Sequence, residues 1–116
     1  MKPSNSVYLR FLALAGAIEK GLFEETDAVA MSLLELIGVA ADKGRPLTVT
    51  QAMSLAQLAS PATLHRKIVQ LIEAGYVEQC FEGKNRRTKY LVPTDKVDKY
   101  YAKLGELLMS VSEQEQ

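Results

Sequence analysis

Apolar residues change their spacing several times along this chain, and each change marks a new element. Tyr8, Phe11, Leu12, Ala15 and Ile18 recur every three or four residues, which predicts a helix from about 6 to 20, with Gly21 closing it. From about Thr26 to Lys43 the pattern thickens: Val29, Met31, Leu33, Leu34, Leu36, Ile37, Val39 and Ala40 leave only Ser32, Glu35 and Asp42 as a narrow polar side. A helix apolar almost all round is expected to be the central, most buried one. Gly44, Arg45 and Pro46 stop it. Leu47 to Val49 has room for a very short strand. Thr48 and Gln51 then stand at capping-box spacing, which opens a brief helix through about Ala56.

The strongest signals come next, between Ser60 and Thr94. Ser60 is a preferred N-cap and Pro61 a preferred first helical residue. Leu64, Ile68, Leu71 and Ile72 then form one apolar face, and Gly75 ends the helix. On a wheel of about 100° per residue, Ala62, Thr63, Arg66 and Gln70 fall opposite that face. Two short helices joined by a tight turn, the second amphipathic, have the helix-turn-helix arrangement. Val77, Gln79 and Phe81 alternate with polar positions, and Tyr90 and Val92 do so again beyond a Gly83–Thr88 loop, which predicts a β-hairpin with a basic tip. Thr94 and Asp95 are placed to cap a last helix to about 112, where Val97, Tyr101, Leu104, Leu108 and Val111 form a stripe. A small core leaves that stripe no obvious place. It wants a partner, and the first helix offers a matching one, so a homodimer zipped through both ends is expected.

Composition adds boundaries. With 116 residues the chain is expected to form a single domain, comprising an N-terminal helix (6–20), a central module (26–94) and a C-terminal helix (95–112). Hydrophobic content of 47% and charged content of 24% are ordinary for a soluble protein. Fourteen basic residues balance fourteen acidic ones, which argues mildly against a nucleic-acid binder. Distribution matters more than the sum. His65, Arg66, Lys67, Lys84, Arg86, Arg87 and Lys89 are clustered, whereas Glu24, Glu25, Asp27, Glu35, Glu106, Glu113 and Glu115 lie outside that region. One cysteine, Cys80, excludes an internal disulfide framework and points to a reducing, cytoplasmic setting. The apolar run Phe11–Ala17 imitates a signal peptide but continues as an amphipathic pattern, and nothing reaches the ~18 residues of a membrane span.

The order helix, helix, short strand, helix, helix, hairpin, helix resembles a winged helix-turn-helix, and specifically the multiple-antibiotic-resistance regulator (MarR) family. Two runs carry the resemblance. S-P-A-T-L-H-R-K-I-V-Q-L-I-E-A-G-Y-V, from Ser60 to Val77, is similar to that family's recognition helix, closing glycine and first wing strand. N-R-R-T-K-Y-L-V-P-T, from Asn85 to Thr94, is similar to its wing. The likeness spans roughly two thirds of the chain, and winged helices as a class share much of it. The implied fold is mainly α with a small β-hairpin wing (α+β): a three-helix core with terminal dimerisation helices.

The resemblance puts Thr63 and Arg66 where the family contacts bases or flanking phosphates, and Arg86 and Arg87 where its wing arginines approach the minor groove or backbone. Asn85 stands where the family has Asp, which removes a carboxylate–arginine lock or leaves an amide in its place. The Thr48–Ser60 segment is about one residue longer than usual, with Gln57 in place of a turn glycine. The C-terminal part is short, ending after a single helix. Physical chemistry adds Ser60, Ala62, His65 and Gln70 on or beside the same helix face, and Lys84 and Lys89 as phosphate-neutralising cations. Arg66 is the expected bidentate reader of guanine, worth ~1–3 kcal/mol of discrimination.

The expected partner is double-stranded DNA with a palindromic operator, bound by a homodimeric repressor whose half-sites lie about one helical turn apart. A small-molecule effector stays unassigned. The alternative is a winged-helix module that binds another protein instead of DNA. With one histidine, one cysteine and no metal-ligand spacing, phosphate loop or nucleophile motif, no catalytic residue, metal or cofactor is expected.

Overall fold

Two helices that end in the same way frame the centre of the molecule. The computed structural model describes the backbone of residues 3–114 and the side chains of residues 4–113 other than Asn85. Its elements are α1 (Pro3–Glu19), α2 (Ala28–Asp42), α3 (Val49–Met53), α4 (Pro61–Glu73), β1 (Val77–Glu82), β2 (Asn85–Pro93) and α5 (Asp95–Gln114). Beyond α2, Gly44 at φ +76° lets its own N–H reach the Ala41 carbonyl and the Arg45 N–H reach that of Ala40. Beyond α4, Gly75 at φ +82° makes the same pair of bonds, to Ile72 and from Tyr76 to Leu71. Both are Schellman closures, in which only glycine takes the left-handed conformation cheaply.

Residues 25–96 form one compact unit, and residues 3–24 with 97–114 form another. In the central unit, Ala30, Leu33, Leu34 and Ile37 of α2 meet Leu64, Ile68 and Leu71 of α4, all buried, together with Ala52, Val77 and Leu91. Among the described residues α2 has more buried positions than any other helix, as expected, but two apolar residues on its outer side, Leu36 and Val39, are exposed. The N-cap of α2 is Asp27, whose Oδ1 accepts the Ala30 N–H at 2.8 Å.

The capping box of α3 forms in both directions, Thr48 Oγ1 accepting from Gln51 N and Gln51 Oε1 from Thr48 N. The helix nevertheless stops at Met53, three residues early, because the Ser54 hydroxyl donates to the Thr50 carbonyl and Leu55–Leu58 close a turn of their own. The strand expected at 47–49 reduces to a bridge between Thr48 and Tyr90, supported by the Leu91 N–H donating to Leu47.

β1 and β2 pair antiparallel, with Val77 opposite Pro93, Gln79 opposite Leu91 and Cys80 opposite Tyr90. Val77, Leu91 and Pro93 share the buried face, so Tyr90 and Val92, expected to carry the apolar alternation of the second strand, lie on the other, half-buried face. The Gly83–Thr88 loop is also shorter than expected. β2 begins at Asn85, and a register shift at Arg86–Thr88, between the pairs Phe81–Lys89 and Glu82–Asn85, puts both wing arginines on the strand rather than at the tip.

In the terminal unit, Phe23 is buried with its ring edge-on to Tyr100, 5.1 Å between centroids at 67°, and Tyr100 stacks in turn on Tyr101 at 5.7 Å. Phe23 takes φ +60°, a conformation that costs a residue with a side chain about 1–2 kcal/mol, offset here by burial of the ring. Along α1, Val7, Phe11, Ala15 and Ile18 are half-buried, whereas Tyr8, Leu9, Leu12 and Leu14 are exposed. On α5, Val97 and Val111 are buried within the single chain, which corrects their expected place at an interface. Tyr101 and Leu104 are half-buried, and Leu108 and Met109 are exposed.

Candidate nucleic-acid interface

α4 is moored at its middle and just past its C-terminal end, and its outer side is exposed. At its middle, Lys67 Nζ pairs with Asp27 Oδ2, tying α4 to the cap of α2. Lys67 is largely covered by this contact and its charge is answered, so it drops out of the cationic patch expected from sequence. Asp27, expected to lie apart from that patch, sits against it. The Lys67 ammonium, helped by the Ala30 N–H, holds the Asp27 carboxyl below its ordinary range. At the back, Thr94, which directly precedes α5, donates its hydroxyl to the Gly75 carbonyl at 2.7 Å and its N–H to the Tyr76 carbonyl. Lys96 adds a bond to the Ala74 carbonyl at 3.4 Å and lies 4.6 Å above the Tyr76 ring. Sequence reasoning marked none of these mooring contacts, because each acts across about twenty residues or more.

The open side carries the expected set. Ser60, Ala62, His65, Arg66 and Gln70 are exposed and Thr63 is half-buried. Ser60 caps the helix, its Oγ accepting the Thr63 N–H at 3.3 Å and its hydroxyl donating to Thr63 Oγ1 at 3.1 Å. Arg66 Nη2 donates to the same Thr63 Oγ1 at 3.2 Å, so the guanidinium lies back along the helix toward its N-terminus. One residue was overlooked. Val69 is 38% exposed on the same side as Arg66, a position the wheel places within about 60° of it, and an apolar contact there suits a thymine methyl.

In the wing, Lys84, Arg86, Arg87 and Lys89 are all exposed. The Arg86 guanidinium lies over the Phe81 ring, 5.1 Å from its centroid, a cation–π contact that fixes the side chain against the sheet. Glu82 is occupied locally: its Oε2 accepts the Tyr90 hydroxyl at 3.1 Å, a bond that holds the phenol above its ordinary pKa. The expected amide contact of Asn85 lies outside the described side chains. The half-buried Cys80 lines a cavity of about 510 Å³ beside the wing, with Arg45, Thr48, Gln51 and Tyr90. Among the described residues no group of three or more His, Cys, Asp and Glu side chains is placed to hold a metal, and no helix is long and apolar enough to cross a membrane.

No family model and no curated protein matches the sequence. Solved structures do match. FabT of Streptococcus pneumoniae, determined in complex with DNA, aligns with 95% of this chain and 74% of its own at 18% identity and a TM-score of 0.58. The transcriptional regulator Tm0710 of Thermotoga maritima aligns with 98% of this chain and 78% of its own at 15% identity and a TM-score of 0.57. MarR of Staphylococcus aureus, determined with salicylate and kanamycin, aligns with 94% and 68% at 18% identity and a TM-score of 0.54. The chain has the winged-helix fold of the MarR-type regulators. Within that fold α3 and α4 are the helix-turn-helix and the β1–β2 hairpin is the wing. The likeness at this identity is one of architecture.

Proposed function

We propose that this protein is a sequence-specific binder of double-stranded DNA, acting as a homodimeric transcriptional repressor. The observation that carries the reading is the outer side of α4, where a capped helix presents the exposed Arg66 and Gln70 and the half-buried Thr63, together with a wing that presents Lys84, Arg86, Arg87 and Lys89. The major groove admits one such helix. In this reading Arg66 takes a guanine edge, Gln70 and Val69 meet neighbouring bases, His65 and the Ser60 N-terminus meet phosphate, and the wing cations grip the backbone. Half of a dimer reads half of a palindromic operator. The exposed Tyr8, Leu9, Leu12 and Leu14 on α1, with Leu108 and Met109 on α5, support the dimer, since so much apolar side chain facing water favours a second copy. Phe11, Ala15, Tyr101 and Leu104 would flank that contact. A small-molecule effector belongs to the proposal by analogy with the ligand-bound staphylococcal protein.

A second reading, a module that binds protein rather than DNA, is favoured by the exposed Glu73, Glu78 and Glu82 on α4 and β1 and by the formal net charge of zero. Selection on random duplexes at near-physiological salt separates the two. Enrichment of an inverted repeat is the expected result; recovery of no sequence, with salt-independent background retention, would overturn DNA reading.

A further inference from the structure

The hydrogen bonds at the front of α4 converge on one atom. Thr63 Oγ1 accepts from the Ser60 hydroxyl at 3.1 Å and from Arg66 Nη2 at 3.2 Å. Ser60 is fixed in turn by the Thr63 N–H that it caps, at 3.3 Å. The three residues stand at i, i+3 and i+6, so each successive side chain lies over the turn before it, and the chain of contacts runs along one edge of the helix. Besides the cap, the relay holds the Arg66 fork back toward the N-terminal half of the helix.

We propose that Thr63 is a positioning residue for Arg66, and that operator specificity passes through it without requiring a contact of its own to a base. The inference rests on the DNA-binding reading above and names the device by which that site discriminates. A free arginine samples many rotamers and loses that freedom on binding, which weakens association; a fork already held in place has less to lose. Both acceptor positions of Thr63 Oγ1 are used within the protein, and its O–H remains to donate outward. Arg66 gives up one N–H of five to Thr63, which leaves enough donors for a bidentate contact to O6 and N7 of guanine.

Thr63→Val is nearly isosteric, and it spares the cap because Ser60 accepts from the backbone N–H of residue 63. It should lower the ratio of operator to random-duplex affinity about two- to tenfold. Thr63→Ser, which keeps the hydroxyl, should restore the ratio. In an Arg66→Ala background Thr63→Val should cause no further loss, because the residue through which it acts is gone. If the loss persists at full size in that background, Thr63 reads DNA by itself and the proposal fails. If Thr63→Val leaves the ratio unchanged, it fails as well. A readout without DNA keeps the two levels apart: side-chain 15N relaxation of the Arg66 guanidinium in the free protein should show restricted motion that Thr63→Val releases. A guanidinium already mobile in the wild type overturns the positioning role whatever binds. Restricted motion in a protein that selects no duplex would instead overturn the DNA reading and leave the relay without a binding role.

Discussion

α4 and α1 both carry an apolar stripe, yet they stand in different relations to solvent. In α4 the stripe is narrow: Leu64, Ile68 and Leu71 are buried and the opposite side is polar. In α1 there are two surfaces, a half-buried one through Val7, Phe11, Ala15 and Ile18, and an exposed one through Tyr8, Leu9 and Leu12, with the exposed Leu14 at the far edge of the half-buried one. A helix with one apolar side needs one neighbour, and α4 finds it in α2. A helix with two needs another surface, and α1 has none over its second side. In the proposed function the two helices divide the work along the same line: α4, satisfied by its own unit, offers its polar side to DNA, and α1 offers its exposed side to a second copy.

The comparison breaks most visibly at the buried stripe. Leu64→Ala removes a side chain with no exposed surface and should cost about 2–5 kcal/mol, read as a drop in the urea midpoint at unchanged slope. Leu12→Ala, on the exposed side of α1, should cost the isolated chain a small fraction of that. If both substitutions destabilise equally at a concentration where the chain is monomeric, the distinction between the helices is wrong. The second break uses the same residue differently. Leu12→Asp puts a charge on the open apolar side of α1 and should weaken dimerisation by about 2 kcal/mol or more, roughly a thirtyfold rise in dimer Kd. Sedimentation equilibrium across a concentration series measures it; an unchanged assembly mass would remove this side of α1 from any interface.

How much of this could be read from the chain follows from the range of the forces involved. Ser60, Pro61 and Gly75 act within one turn of where they stand, so the bounds of α4 were legible to within a residue. The Thr48–Gln51 capping box is equally local. The face that α4 turns outward was legible because Leu64, Ile68 and Leu71 fix its rotation. Three things were not. The wheel for α1 merged two apolar surfaces into one stripe, since periodicity counts residues without saying which side is covered. In the wing, alternation put Tyr90 and Val92 on the core side, but the ladder is set by Leu91, which pairs with Gln79 and bonds back to Leu47. The Lys67–Asp27 pair spans forty residues, and no local pattern announces it.

Two smaller changes sharpen the account of why α4 holds its position. Ser60→Ala removes the cap and should cost about 1 kcal/mol, seen in thermal or urea melts; Ser60→Asp should retain most of the stability because its carboxylate caps equally well and suits the helix dipole. A loss as large for aspartate as for alanine would mean that the hydroxyl's bond to Thr63, and not the cap, is what matters at this end.

The smallest expected effect concerns the mooring to α2. Lys67 and the Ala30 N–H both favour the ionised Asp27 carboxylate, so its folded pKa lies below the value of about 3.9 for a free aspartate. The unfolded chain therefore holds this proton to higher pH than the folded one does. Its contribution to stability is full above the unfolded pKa and disappears as pH falls through the lowered folded one. Asp27→Asn keeps a residue that caps α2 as well as aspartate does, which isolates the charge pair from the cap. The mutant should thus melt below the wild type at neutral pH, by less than the loss of the α4 cap because Asp27 is half exposed and its pair is screened, and the gap should shrink with added salt. It should close on acidification below pH ~4. A gap that stays constant from neutral pH to pH ~3 would show that the carboxylate's charge does not moor the helix, and that the stripe of Leu64, Ile68 and Leu71 alone sets the angle at which α4 faces outward.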